Sequence, residues 1–413
     1  MILVPFFIVL VFLFTLVSKR IERTIFTAPI IFTVAGMVVY FISPRIAELE
    51  IHNETVLLIA ELTLALLLFT DANRIELRKL LKETFIPGRL LGIGMPLAIL
   101  AGAIIAVLIF DGMSFWEAAL LAVILAPTDA SLGQVVINSQ LVPERVRQAL
   151  NVEAGLNDGL AMPFFSLFVG LAAATDPFIS GDWLLYTIEQ IFFGLLMGIA
   201  IGWIGGWLIG ETGKRGWIDQ PLQQLGLLAL ALMCYGGAVI IGGNGFIAAF
   251  VGGLLVKRGF EDAKFHTSEF SEAWGQLLNY FVFFVFGMLA VKLLPRFTPT
   301  ILLFAVLSLT IMRMLPVAIA MLRTRLAPST MLFMGWFGPR GLASIVLGLI
   351  YLEREADLAY ETIIVTAVAT TVLLSILLHG MSALPGTRWY ARQVKKMDAD
   401  PPELEEDRKS TRL

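Results

Sequence analysis

The stretch Ser114–Gln140, "SFWEAALLAVILAPTDASLGQVVINSQ", is long and apolar enough to cross a bilayer, yet Pro127, Thr128 and Asp129 stand near its middle. A spanning helix needs about 20 mostly apolar residues. A proline inside one removes a backbone donor and clashes with the preceding turn. The segment therefore reads as two half-helices joined by extended backbone, with an acid at the join. Thr330–Leu352, "TMLFMGWFGPRGLASIVLGLIYL", repeats the design with Gly338, Pro339, Arg340 and Gly341 at its centre. Glycine weakens a helix further, and here the join carries a base.

The surrounding chain fits that setting. Of 413 residues, 58% are hydrophobic and 15% charged, with a mean hydropathy of +0.83. Soluble domains run about 45–50% apolar and about 25% charged, so the composition places the chain in the membrane class. A net charge of -3 speaks against a nucleic-acid partner. The single cysteine, Cys234, excludes a disulfide within one chain. The opening "MILVPFFIVLVFLFTLVSKR" has no basic region ahead of its apolar run and no small-residue cleavage site, so it reads as a retained helix. Candidate spans fall at roughly 2–17, 24–43, 52–70, 87–110, 114–139, 146–173, 182–211, 221–242, 244–258, 268–294, 299–323, 330–352 and 360–384, thirteen in all. Their division is weakest around Gly243 and Asn244, and 182–211 also fits an interfacial helix over part of its length. Residues 1–387 form the transmembrane unit, and 388–413 a short, polar, disordered tail.

The basic residues test that count. With thirteen spans, 24 of the 30 Lys and Arg fall on the side that holds the carboxyl tail and 4 on the other, while Arg313 and Arg340 lie within spans. Excess Lys and Arg marks the cytoplasmic side, so the amino terminus is expected outside and the carboxyl terminus in the cytoplasm. Spans 1–6 and 8–13 then form two inverted six-helix repeats, with span 7 as linker. The interrupted spans, 5 and 12, are each the fifth of their set. Proline kinks are common in membrane helices. Matching breaks in inverted halves, each carrying a charge, point instead to a transporter's binding site near the midplane.

Ionisable residues inside spans are costly and usually functional. The central ones are Asp129, Glu153, Asp158, Arg313 and Arg340, which leaves one negative charge over, as a cation site requires. Half-helix ends carry partial charges of about half an elementary unit. Asp129 is placed to offset the amino-terminal ends, and Arg340 the carboxyl-terminal ends or a carboxylate. Glu153 and Asn157 are four apart and share a helix face, whereas Asp158 is turned about 140° from Glu153. The two acids can therefore hold different jobs: Glu153 paired with an arginine, Asp158 occupied alternately by a proton or a cation. Asn157 supplies polar contacts without titrating, so one proton is traded for one monovalent cation and the exchange is electroneutral. Asp71, at the cytoplasmic end of span 3, either lines the inner mouth or is an ordinary helix-end acid. Glu61, deeper in that span, is an accessory site or a packing residue. His52, His266 and His379 fall at loops or span ends, which argues against a histidine relay in the core. There is no His/Cys cluster for a transition metal and no phosphate-binding glycine loop for ATP-driven pumping.

Taken together, "APTDAS" (126–131), "EAGLNDG" (153–159), "GWFGPRGLASI" (335–345) and "IMRMLPV" (311–317) resemble the NhaP-like sodium/proton antiporters, relatives of the animal sodium/proton exchangers. The resemblance covers the whole membrane part. It implies that Asp158 binds the ion and carries the proton, with Asn157, Thr128 and Asp129 beside it and Na+ held at Asp158 and Thr128. It implies a Glu153–Arg313 pair and assigns Arg340 to the helix crossing. It also implies a homodimer in which a core domain around spans 4–6 and 11–13 moves against a dimerisation domain around spans 1–3 and 7–10, in a bacterial-type plasma membrane. Two positions depart from the family's pattern. Ala130 stands where proline is frequent, and Ala154 where a serine can help hold the cation, which leaves the choice among Na+, Li+ and K+ open. The expected function is secondary antiport of a monovalent cation against H+, with no cofactor and no enzymatic activity. A cation channel would not need a titrating acid balanced by buried arginines. An intramembrane aspartyl protease built on Asp129 and Asp158 would need both acids to share one water.

Overall fold

A computed structural model describes residues 3–21, 24–42, 54–74, 85–173, 181–256, 268–353, 360–397 and 402–404. The regular elements among these residues are all helical. In chain order they are α1 (Leu3–Ile21), α2 (Ala28–Ile42), α3 (Glu54–Arg74), α4 (Phe85–Ile109, with a π turn over Leu90–Gly94), α5 (Phe115–Ile124), α6 (Ala130–Ile137), α7 (Glu144–Ala173), α8 (Gly181–Lys214), α9 (Gln220–Ile240) and α10 (Gly245–Val256). There follow α11 (Ser268–Leu293), α12 (Pro299–Leu309), α13 (Ile311–Ala320), α14 (Pro328–Trp336), α15 (Leu342–Glu353) and α16 (Glu361–Val394). Among the described residues seven helices are long and apolar enough to cross a membrane, and there are shorter apolar ones such as α5, α10 and α15.

The chain forms two compact units. One comprises Met1–Asn53, Thr84–Asn157 and Tyr280–Leu413, the other Glu54–Glu83 and Asp158–Asn279. In the first, α2 and α11 approach so closely that a Cβ on Gly36 would collide with the Phe284 carbonyl, and one on Gly287 with that of Thr33. Rings close the same contact: Phe32 stacks on Tyr280 at 4.5 Å, and Phe7 meets Phe281 edge-on at 5.2 Å. In the second unit, Gly194, Gly198, Gly202 and Gly206 recur every fourth residue of α8 and so line one face. Asn244, just ahead of α10, and Ala248, Gly252 and Val256 of α10 fill that groove, and a Cβ on Gly202 would sit 2.5 Å from the Gly252 Cα. Small residues at such spacing let membrane helices pack backbone to backbone, where dispersion replaces the missing hydrophobic drive. The short α9–α10 connection holds because Gly242 takes φ +80 and Asn244 Oδ1 accepts from the Phe246 and Ile247 amides, at 3.0 and 3.1 Å.

Both expected interruptions are present, at residues 125–129 and 337–341. A third was not expected. Span 11 breaks at Thr310, between α12 and α13. Pro316 withdraws the hydrogen bond due to the Met312 carbonyl, and the Thr310 hydroxyl bonds back to the Val306 carbonyl at 2.7 Å. The carboxyl end also differs from the disordered tail expected. Helix α16 runs to Val394, and Pro402–Leu404 docks as a 3-10 turn. Glu403 is buried there, its Oε1 accepting from the Ala327 amide and the Thr330 hydroxyl, both at 2.8 Å. A carboxylate at the start of α14 satisfies orphan donors and complements the helix dipole. Residues 405–413, like His52 and His266, lie outside the described residues. Glu403→Ala is expected to lower stability by about 1–3 kcal/mol, read as a lower Tm of the solubilised protein. An unchanged Tm would contradict this capping role.

Candidate functional site

The two breaks are joined to each other. The Asp129 amide donates to the Pro339 carbonyl at 2.8 Å, linking one extended segment to the other. The Asp129 carboxylate then caps two helices at once. Its Oδ1 accepts from the Ser131 amide (2.7 Å), the Ser131 hydroxyl (2.5 Å) and the Leu132 amide (3.3 Å) at the start of α6. Its Oδ2 accepts from the Leu342 amide, at 2.7 Å, at the start of α15. A Cβ on Gly341 would run into Oδ2, so only glycine lets the carboxylate reach both ends. The expected offset of the amino-terminal ends is realised by this one side chain.

The carboxyl-terminal ends are served by two residues. Arg340 Nη1 donates to the Ala126 and Pro127 carbonyls just past α5, at 2.5 and 3.2 Å. The end of α14 is met by His379 of α16, whose Nε2 lies 2.9 Å from the Trp336 carbonyl. His379 is 1% exposed, which corrects its expected position at a span end. Its Nδ1 lies 3.1 Å from the Ser375 hydroxyl, and that oxygen accepts from the Arg340 amide at 2.6 Å. Ser375 and His379 stand four apart in an otherwise apolar stretch of α16. This i, i+4 polar pair was the sequence signal that could have found them.

Beside the crossing, Glu153 and Arg313 form a two-pronged pair. Nη1 meets Oε1 at 2.5 Å and Nη2 meets Oε2 at 2.8 Å, with the residues 2% and 3% exposed. Gly338 makes room for it, since a Cβ there would lie 2.7 Å from the guanidinium carbon. Parallel N–H···O bonds between charged groups are among the strongest in proteins. The two opposite charges thereby meet directly.

Thr128 and Asn157 face each other on the same unit. The Asn157 Nδ2 donates to the Thr128 hydroxyl at 2.6 Å, and both residues are buried. The remaining amide oxygen of Asn157 has no hydrogen-bond partner among the described residues. Asp158 follows it on α7 and is half-buried. Thus Thr128, Asp129, Glu153, Asn157, Arg313 and Arg340 fall in one compact unit. Asp158 opens the other, which also holds Asp71, half-buried in the last turn of α3. Glu61 accepts from the Tyr235 hydroxyl at 2.8 Å within that second unit.

Over 333 residues the chain is 27% identical to the Na(+)/H(+) antiporter of Schizosaccharomyces pombe, covering 71% of this chain and 70% of that protein. It is 24% identical to the K(+)/H(+) antiporter NhaP of Alkalimonas amylolytica, over 92% of this chain and 65% of that one. Of the Na(+)/H(+) antiporter 2 of Zygosaccharomyces rouxii, 32% identical where matched, it spans 23% of the length. Its fold is similar to that of the sodium proton antiporter MjNhaP1 of Methanocaldococcus jannaschii, with a TM-score of 0.74 at 20% identity, over 92% of this chain and 99% of that one. The family model described as "Sodium/hydrogen exchanger, transmembrane" matches residues 7–389. Spanning nearly the whole membrane part and both breaks, that match decides the matter: the chain belongs to the sodium/hydrogen exchanger family.

Proposed function

We propose that this protein is a secondary antiporter that exchanges a monovalent cation, Na+ first and Li+ or K+ as the alternatives, for H+ by alternating access. The observation that carries this reading is the buried Asn157–Thr128 pair with one amide oxygen left over, directly before Asp158 in α7. Hard monovalent cations take oxygen donors, and Thr128 and Asn157 offer two neutral ones. Asp158 adds the charge and is the group that exchanges proton for cation, since an ionisable residue within a span is costly and usually functional. The other central charges are committed elsewhere: Glu153 to Arg313, Asp129 to two helix starts, Arg340 to a helix end. Asp129 therefore acts through charge compensation. Its four accepted hydrogen bonds also argue against its sharing a water with Asp158 as a protease dyad would.

In this reading thirteen spans cross a bacterial-type plasma membrane, in two inverted repeats, with the amino terminus outside and the carboxyl terminus in the cytoplasm. The body around spans 4–6 and 11–13 moves against one around spans 1–3 and 7–10 that makes a homodimer. Asp71 lines the cytoplasmic approach. Transport needs no cofactor and no covalent chemistry.

Three measurements test the reading. In proteoliposomes with an internal pH dye, Na+, Li+ or K+ should release or take up protons while Ca2+ does not, and Asp158→Asn should abolish the signal. Exchange in the amide variant at the wild-type rate would refute the assignment. An imposed membrane potential should leave the rate unchanged, whereas strong driving by voltage would overturn one-for-one stoichiometry. Arg313→Ala should strand Glu153 as an uncompensated buried charge and destabilise the fold by about 3–5 kcal/mol, seen as lost thermal stability in detergent. Normal stability and transport in that variant would contradict a structural role for the pair.

A further inference from the structure

The crossing has four helix ends and an unequal set of partners. One carboxylate, Asp129, serves both starts, while Arg340 reaches only the end of α5. The end of α14 would be left to its own turn, in which the Gly338 amide reaches the Trp336 carbonyl at 2.9 Å, if α16 did not supply His379. A carbonyl oxygen can only accept. Nε2 has the Trp336 carbonyl at 2.9 Å as its partner, whereas Nδ1 has both the carbonyl and the hydroxyl of Ser375 at 3.1 Å, so a hydrogen on Nε2 lets the ring donate to Trp336 and accept from the Ser375 hydroxyl. Through Nδ1 the same ring meets the Ser375 hydroxyl, which in turn receives the Arg340 amide. The indole of Trp336 lies against the imidazole at 5.0 Å and donates to the Ser382 hydroxyl at 2.9 Å. Helix α16 thus holds the break from both sides: the last carbonyl before it through His379, and the amide of Arg340 within it through Ser375.

We infer that His379 and Ser375 are positioning residues of the transport site, a clamp that fixes the length of the α14–α15 break and thereby sets where Arg340 and the bonded Asp129 stand. The spacing matters because the crossing is a single bonded object. Asp129 is tied to Pro339 by its amide and to Leu342 by its carboxylate, and Thr128, the next residue back, holds Asn157. Slack at Trp336 or Arg340 is passed through the two bonds that hold Asp129, on to its neighbour Thr128, and from there through one more to Asn157. The side-chain oxygens of these last two residues face the cation in the proposed reading. Neither residue touches the ion. The effect expected on their loss is weaker cation binding, and it rests on the antiport reading given above.

The test uses the full-length protein in proteoliposomes. His379→Leu keeps the volume and removes both bonds, so the apparent KM for the cation should rise about tenfold, the scale of an unmade buried hydrogen bond, while the maximal rate changes little. Ser375→Ala should raise KM in the same direction, and it carries the test if His379→Leu does not fold. His379→Gln retains a donor at the Nε2 position and should bring KM back to within about twofold of wild type. A merely structural role predicts less folded protein at unchanged KM, and that result, or failure of the glutamine to rescue, overturns the inference. A readout independent of transport comes from 15N-histidine labelling, since the chain has only 3 histidines. One ring should show a protonated Nε2 that disappears in His379→Gln, and an unprotonated Nε2 at that ring would also refute the clamp. Should the wild-type protein exchange no ions at all, the antiport reading fails, while the labelling result still decides whether the clamp exists.

Discussion

Four half-helix ends are buried together in this chain, and each carries the partial charge of an unfinished hydrogen-bond ladder. In a low-dielectric interior such charges are not quenched by water and must be met by side chains. That constraint explains the chemistry of the crossing. Asp129 meets two positive ends because both begin within reach of one carboxylate, and Gly341 keeps the approach open. The negative ends take a separate donor each, Arg340 for α5 and His379 for α14. The crossing is therefore a rigid bonded unit whose charges are already spoken for.

Glu153 of α7 is bound by both prongs of Arg313. A buried ion pair adds little net stability over an apolar replacement, but breaking one partner from it is severe. Its value here is that it removes Glu153 from the set of groups able to take up a cation. Asp129 and Arg340 are engaged by helix ends, and in the proposed reading the exchanging group is Asp158, the residue that follows Asn157 on α7. In that reading a single acid exchanges one proton for one monovalent cation, and the family to which the chain belongs is that of the sodium/hydrogen exchangers.

Much of this was legible in the sequence. Proline and glycine at the centres of two apolar spans mark broken helices for a local reason, the missing amide and the ring clash, and the breaks fall where they were expected. The Glu153–Arg313 pair follows from the rule that buried charges seek partners, with the family resemblance choosing which arginine. His379 was misjudged because a residue near the end of an apolar run looks like a boundary. Helix α16 in fact continues for fifteen residues past it, to Val394, so the side chain is deep in the unit. The kink at Thr310 escaped notice because Pro316 acts on the turn before it. The docked turn at Glu403 escaped because a proline- and charge-rich tail has no periodicity by which to read a contact. The glycine stripe of α8 was present in plain spacing, and its meaning depends on a partner helix that spacing alone does not name.

The most direct test of the central claim is the number of protons displaced when the cation binds to the solubilised protein, without transport. Titration calorimetry with Na+ in buffers of differing ionisation enthalpy gives that number. The account predicts about one proton released per cation bound, since a single acid is shared by the two. Cation binding that releases none would mean that the two ions do not compete for one carboxylate, and would contradict the account at its root.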